Sequence, residues 1–305
     1  MTLCIQPANM VWRTFSSQDD LSPHPSQDMM ADYLRAFFLS HGETQEPDNE
    51  WLDRWLNSGQ LSFVHMMQAL LPELQTRHLL QDIDLALFAH WTPDTDIGCA
   101  VPNALINACG ARQAFGLSIS DRGLAAPLFA LYAIDEYLTG DPSRQKALLM
   151  IADQDLAPYP SERLRQLQPR KNCSLILIEK HAPAQASGLV YEGYYRQPYA
   201  SDGDLTLTVR QLLARVREQH ADPLPITLLV GATLFVALQN GVGDAQLAQV
   251  AESLLCAAPF VYLKTAAQPD NRYLMVVAEA RHLTACAFRC QPDRNPFPHS
   301  PVLTR

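Results

Sequence analysis

Short apolar runs alternate with longer helical stretches through most of the chain. Residues 29–38 and 50–55 carry the spacing of amphipathic helices, and residues 63–74, 102–110, 205–219 and 244–256 also read as helices. Between them lie short, largely apolar runs at 83–89, 114–119, 147–152, 173–179, 226–230 and 260–264, followed by a closing pair at 273–278 and 283–289. Runs of this length suit strands, and 83–89 suits one covered on both faces. Strands and helices in this order predict an α/β protein of βαβ units. Polar linkers at 16–27 and 41–49 and a connector at 158–172 separate the elements, and a tail at 291–305 with four prolines is expected to be disordered.

The pattern centres on residues 114–141. A strand at 114–119 runs into Ser120 and Asp121, and a helix at 124–138 that is almost wholly apolar follows at once, stopped by Gly140-Asp141-Pro142. A helix apolar all round belongs inside a protein. Ser120 and Asp121 are good N-cap residues for its first turn, so the elbow is expected to be buried with any chemistry at its tip.

Charge and cysteine content narrow the setting. A net charge of −9 and a pI near 5.4 predict repulsion from nucleic acid and anionic membranes. The first residues lack a basic segment followed by an apolar one, and no apolar run reaches about 20 residues, so a cytoplasmic protein is expected. The seven cysteines form no C-x-x-C pair, which predicts reduced, mostly buried thiols. No cofactor and no metal site are expected.

The elbow resembles the nucleophile elbow of the thiolase-like superfamily, nearest to ketoacyl-acyl-carrier-protein synthases of the third type. There a strand leads to a Cys, a small residue, a Gly and a helix whose N-terminus lowers the thiol pKa. Laid on this sequence, Phe115-Gly116-Leu117 takes the strand's place, Gly123 that of the Gly, and the nucleophile position falls on Asp121. A second block, Asp82-Ile83-Asp84-Leu85 through Thr92-Pro93-Asp94, is similar to the segment before that elbow, and residues 273–289 are similar to the closing hairpin. The resemblance implies a thiolase-like fold in which two related βαβ-type halves form a layered α-β-α-β-α core. The halves are expected at 1–172 and 173–290, with the tail at 291–305.

The resemblance implies a Cys, a His and an Asn for condensation, and none falls in place. The nucleophile position is Asp121, flanked by Ser118 and Ser120, and the His position falls on Gly231 and Ala232. The glycine-rich turn is replaced by Glu279-Ala280-Arg281-His282, whose side chains are expected to fill or wall off the pocket. The expectation that follows is a non-catalytic, ketosynthase-like subunit, similar to the degenerate subunits of heterodimeric synthases in secondary-metabolite and polyketide pathways. It would pair with a catalytic ketosynthase through Ala114, Phe115, Gly116, Leu117 and Ser118, and meet acyl-carrier protein or acyl-CoA through that partner. No catalytic residue is expected in the chain itself.

The alternative is a free-standing acyltransferase or hydrolase using Ser120 or Asp121, for which the sequence shows no base. His90 is read as a capped loop-side histidine, His282 as a turn residue, and Arg163, Arg165, Arg170 and Lys171 as a solvated linker rather than a phosphate site.

Overall fold

The apolar runs assemble into strands of one mixed sheet. In the computed structural model, residues 1–16, 26–40, 42, 44, 46–56, 61–199, 205–220, 222–239, 241–279 and 281–292 are described. The strands are β1 (Thr2–Ile5), β2 (Met10–Thr14), β3 (Leu85–Ala89), β4 (Phe115–Ile119), β5 (Lys146–Asp153), β6 (Asn172–His181), β7 (Gly188–Pro198), β8 (Ile226–Val230), β9 (Gln246–Gln249), β10 (Asn271–Glu279) and β11 (His282–Gln291). The helices are α1 (Gln27–Ser40), α2 (Asn49–Leu56), α3 (Phe63–Gln75), α4 (Val101–Cys109), α5 (Ala126–Thr139), α6 (Glu162–Leu167), α7 (Leu205–Gln219), α8 (Ala232–Leu238) and α9 (Ala258–Ala266).

The sheet runs β4-β3-β5-β6-β1-β7-β11-β10-β8-β9, with β2 paired to β6. β3 lies parallel to β4 and β5, and β8 parallel to β9 and β10, while the middle of the ladder is antiparallel. Five layers follow from what each face buries. One core packs Leu87, Leu149 and Ile176 of the first arm, Leu128, Leu131 and Ile134 of α5, Phe260 of α9, and Met275 and Phe288 of the second arm. The outer face of the first arm, with Phe88, Leu148 and Leu175, is covered by α3 and α4. The outer face of the second arm, with Leu228 and Leu274, is covered by α7 and α8. This is the thiolase-like α-β-α-β-α arrangement, with α5 buried at its centre. The division expected between residues 172 and 173 falls at the start of β6, which pairs with β5, β2 and β1.

Two predicted elements differ. Residues 244–256 form β9 and a 3-10 segment (Glu252–Ala257) instead of a helix: Gln246–Gln249 pair along β8, and Leu255 takes a left-handed φ of 45° that no helix continues through. Residues 260–264 lie in α9 rather than in a strand. Pro259 sits in the first turn, where a missing N–H costs nothing, and Phe260 and Leu263 are buried on one face. The sequence pattern also passed over β1, β2, β7, α6 and α8. The disorder expected of the tail concerns residues that, from 293 onward, lie outside those described, as do 17–25 of the first linker.

The elbow is the third correction. Its tip is not buried: Ser118, Ser120 and Asp121 are exposed. Neither Ser120 nor Asp121 caps the helix. A 3-10 turn (Gly123–Ala125) precedes α5, and the Leu124 N–H donates at 3.1 Å to Oε1 of Glu279, from the β10–β11 turn. A carboxylate at a helix start satisfies an orphan donor wherever in the chain it comes from.

Candidate active site

The C-terminal ends of β3 and β4 set the geometry. Phe88 is in register with Ser118 and Ala89 with Ile119, and the His90 N–H donates to the Ile119 carbonyl at 3.1 Å, closing that last pair. His90 and Ser120 are the residues that directly follow this last pair, at the ends of strands about 4.8 Å apart. Residues in register on parallel strands share a face. Phe88 and His90 stack at 4.5 Å with 12° between their rings, and Phe88, His90, Gly116, Ser118 and Ser120 all line one cavity of about 800 Å³.

The imidazole is oriented by what surrounds it. Nδ1 lies 2.8 Å from the Thr92 carbonyl, and a carbonyl only accepts, so Nδ1 carries the proton and Nε2 keeps its lone pair. Burial pushes the His90 pKa down, opposed by the Thr92 contact and the charge of Asp153. A neutral imidazole with a free Nε2 is the form a general base needs.

Asp153, at the end of β5, holds the loop that supplies this carbonyl. Its Oδ1 accepts from the Trp91 N–H and the Thr92 N–H, both at 2.9 Å, and from the Thr92 hydroxyl at 3.1 Å. Its Oδ2 accepts from the Cys256 N–H at 3.1 Å. The carboxyl is fully buried, and burial raises its pKa against these donors. Asp153 thus ties the β3 loop to the 3-10 segment before α9.

Asp94 lines the same cavity. Oδ1 accepts from the Phe63 N–H at 2.9 Å and the Thr95 N–H at 2.8 Å, while Oδ2 is enclosed without a hydrogen-bond partner, and burial pushes this carboxyl up to about 6. Residues 100–103, at the N-terminus of α4, also line the cavity. The N–H groups of Val101 and Asn103 have no acceptor within the helix.

The other residues singled out in the sequence fall elsewhere. Asp121 lies where this cavity meets a third one of about 340 Å³ under the β10–β11 turn, with its carboxylate 3.5 Å from Arg122 Nε. Gly231 caps α8 and lines a second, mainly apolar cavity of about 340 Å³; a Cβ there would meet Glu252 Oε1 at 2.2 Å. Ala232 is the first residue of α8. The β10–β11 turn therefore does not fill the interior, since a cavity lined by Glu279, Arg281 and His282 remains there and a second reaches Ala278. Ala280 lies outside the described residues. His282 accepts at Nδ1 from Arg196 at 3.2 Å.

The basic connector is spent on structure. Arg163 pairs with Glu279 at 3.1 Å and lies 5.0 Å over the Trp91 ring, Arg165 pairs with Glu162 at 2.9 Å, Arg170 donates to Thr14, and Lys171 is buried 3.8 Å from Asp155. Burial raises the thiol pKa of the cavity residue Cys99 and takes Cys109 to about 11, so neither favours a thiolate. Among the described residues no group of three or more His, Cys, Asp or Glu could hold a metal ion, and no helix is long and apolar enough to cross a membrane.

No family model matches the chain, and no curated protein sequence matches it. Solved structures do. It is similar to OleA of Xanthomonas campestris at TM-score 0.59 and 10% identity, covering 95% of this chain and 98% of that one. It is similar to AbyA1, a tetronic acid condensing enzyme, at 0.60 and 12%, covering 94% and 100%. Germicidin synthase of Streptomyces coelicolor, a type III polyketide synthase, aligns at 0.56 and 14%, covering 89% and 84%.

At these identities the likeness establishes the fold. It also overturns the expected role as a degenerate, non-catalytic subunit. The structures matched are a condensing enzyme and a synthase, aligned nearly end to end, so the chain lacks no large part of that architecture. The heterodimer with a catalytic ketosynthase, and acyl-carrier protein or acyl-CoA reached through that partner, fall with it. They were inferred from the missing Cys, His and Asn and the replaced glycine turn, and the end-to-end match to structures described as a condensing enzyme and a synthase stands against them.

Proposed function

We propose that the chain is a free-standing enzyme of acyl transfer, an acyltransferase or hydrolase, with Ser120 as nucleophile and His90 as general base. The observation that carries this reading is that His90 and Ser120 directly follow the last registered pair of β3 and β4 and line one cavity, with Nδ1 of the imidazole committed to Thr92.

Each atom has a place in the reaction. Nε2 of His90 takes the Ser120 hydroxyl proton as Oγ bonds to the acyl carbon, and the carbonyl π electrons move onto its oxygen. When they return, the bond to the leaving alkoxide or thiolate breaks, and Nε2–H hands over the proton. Water or another acceptor then repeats both steps on the acyl-serine. The positive end of α4 faces the developing oxyanion across the cavity. Asp153 acts through Thr92 by fixing the tautomer of His90 and is a positioning residue.

The exposed edge of β4 accompanies this site. The strand is paired on one side only, and Phe115 and Leu117 are 53% and 39% exposed. The edge residues Ala114, Phe115, Gly116, Leu117 and Ser118 are the surface for a second copy of this chain, since an apolar, unpaired edge is self-complementary under two-fold symmetry. Seven free cysteines suit a reducing, cytoplasmic setting.

Labelling with a fluorophosphonate, followed by peptide mass spectrometry, tests the chemistry. A stoichiometric adduct on Ser120, absent in Ser120→Ala and slowed at least a hundredfold in His90→Ala, is the expected result. Labelling of Ser118 instead, or none in folded protein, overturns it. Light scattering tests the edge: Leu117→Pro is expected to convert a dimer into a monomer, and a native chain that is already monomeric refutes the pairing.

A further inference from the structure

The cavity under the β10–β11 turn collects charge opposite in sign to that of the whole chain. The protein carries a net charge of −9, yet Arg122, Arg196 and Arg281 line this one pocket of about 340 Å³, together with His282. The register of β7 and β11 assembles most of it. Arg196 lies opposite Thr284, and Tyr194 and His282, each two residues away along its strand, share their face. The aromatic side of this face is firmly held: Tyr194 stacks on Tyr132 at 5.2 Å and 29° and meets Phe129 edge-on at 6.1 Å.

Some of the charges in the lining are already matched. Arg122 Nε lies 3.5 Å from the Asp121 carboxylate, with its guanidinium 4.6 Å over the Phe129 ring, and Glu279 is taken by the Leu124 N–H and by Arg163. Arg196 and Arg281 differ. Among the described residues neither has a carboxylate at ion-pair distance. Arg196 Nη2 instead donates at 3.2 Å to His282 Nδ1. A guanidinium cannot accept, so Nδ1 offers its lone pair and Nε2 carries the proton. The pocket therefore has two unmatched guanidinium groups and an imidazole N–H in its lining, an excess of donors that calls for an anion. Asp121 lines both this pocket and the His90–Ser120 cavity, so the basic pocket begins at the residue after Ser120.

We infer that this pocket holds a carboxylate carried by the substrate, an ester or thioester of a dicarboxylic acid whose free end is bound by Arg196 and Arg281. The inference rests on the reading of Ser120 as the nucleophile. The planar fork of an arginine matches the two oxygens of a carboxylate. Asp121 and Glu279 in the same lining oppose a second negative charge, which favours a carboxylate over a doubly charged phosphate.

Isothermal titration of the full chain carrying Ser120→Ala, which cannot turn the probes over at that residue, reads the charge preference. Monomethyl glutarate and dimethyl glutarate differ by one methyl group that removes the charge. The monoester is expected to bind at least about tenfold more tightly. Arg196 and Arg281 are exposed, so replacing them spares the core. Arg196→Gln and Arg281→Gln are each expected to weaken the monoester about fivefold or more and to leave the diester unchanged. Equal binding of the two esters, or a monoester indifferent to both arginine substitutions, overturns the inference even where native Ser120 is labelled by fluorophosphonate. Tighter binding of methyl phosphate than of the monoester overturns it too. A tenfold preference for the monoester that the arginine variants lose, in a protein whose native Ser120 stays unlabelled, supports the carboxylate pocket and refutes the Ser120–His90 chemistry alone.

Discussion

The carboxylate of Glu279 accepts the backbone N–H of Leu124 at 3.1 Å, closing the start of the central helix from 155 residues away. Gly123, just before, has φ +53°, and a Cβ there would meet Glu279 Oε1 at 2.7 Å. The turn and the helix start are thus fitted to each other. Glu279→Ala loses the cap and the pair with the half-exposed Arg163, and is expected to cost about 1–2 kcal/mol in urea unfolding. Gly123→Ala is expected to cost more than about 1 kcal/mol, part of it relieved in the double variant, where only the backbone strain remains. Strict additivity would show that the two residues do not meet.

The pH dependence of acylation should report His90. The base acts when neutral, and burial lowers its pKa below the ordinary value of about 6.5. The rate is therefore expected to be flat from pH 7 to 8 and to fall only as pH drops through a value below about 6.5. A rising limb centred above pH 7 would point to another base.

Asp94 should make stability depend on pH with the opposite sign to an ion-paired carboxylate. Its folded pKa is raised to about 6 by burial, so the fold favours the neutral acid. The contribution is fully present below about pH 4 and is lost as pH rises through 6, with an upper bound of about 3 kcal/mol. Asp94→Asn is expected to remove this slope and to raise stability at pH 7.5 by about 1–3 kcal/mol. Denaturant midpoints that track the native protein from pH 4 to 7.5 would exclude it.

Asp153 is the positioning residue whose loss should separate structure from chemistry. In Asp153→Asn the amide keeps one oxygen for Trp91 and Thr92 but sets an N–H₂ against the Cys256 N–H, a donor facing a donor. The expected cost is about 1–3 kcal/mol, with kcat lowered and KM held as His90 loses its alignment. A change in KM alone would place Asp153 in substrate binding instead.

Pattern alone located the central helix, because residues apolar on all sides have only the interior open to them, and it located β3 and β5 for the same reason; it located β4 by its apolar run, although that strand lies at the exposed edge of the sheet. It misread residues 260–264, where a short apolar run satisfies strand and helix alike, and residues 244–256, where pairing along β8 outweighed local helical preference. It also left β1 unnoticed, a four-residue strand whose place between β6 and β7 is written in its partners rather than in itself.

His90 and Ser120 were each visible in the sequence, one as a loop histidine and one as a cap for a helix. Their relation was not. Thirty residues separate them along the chain, and only the parallel register of β3 and β4 sets them side by side, while only a carbonyl two residues on decides which imidazole nitrogen is free. Burial periodicity is a local property and so determined most of the elements, while their layering was implied by the family resemblance. Register, cavity lining and protonation depend on contacts distant in sequence, and the tertiary structure alone decided them.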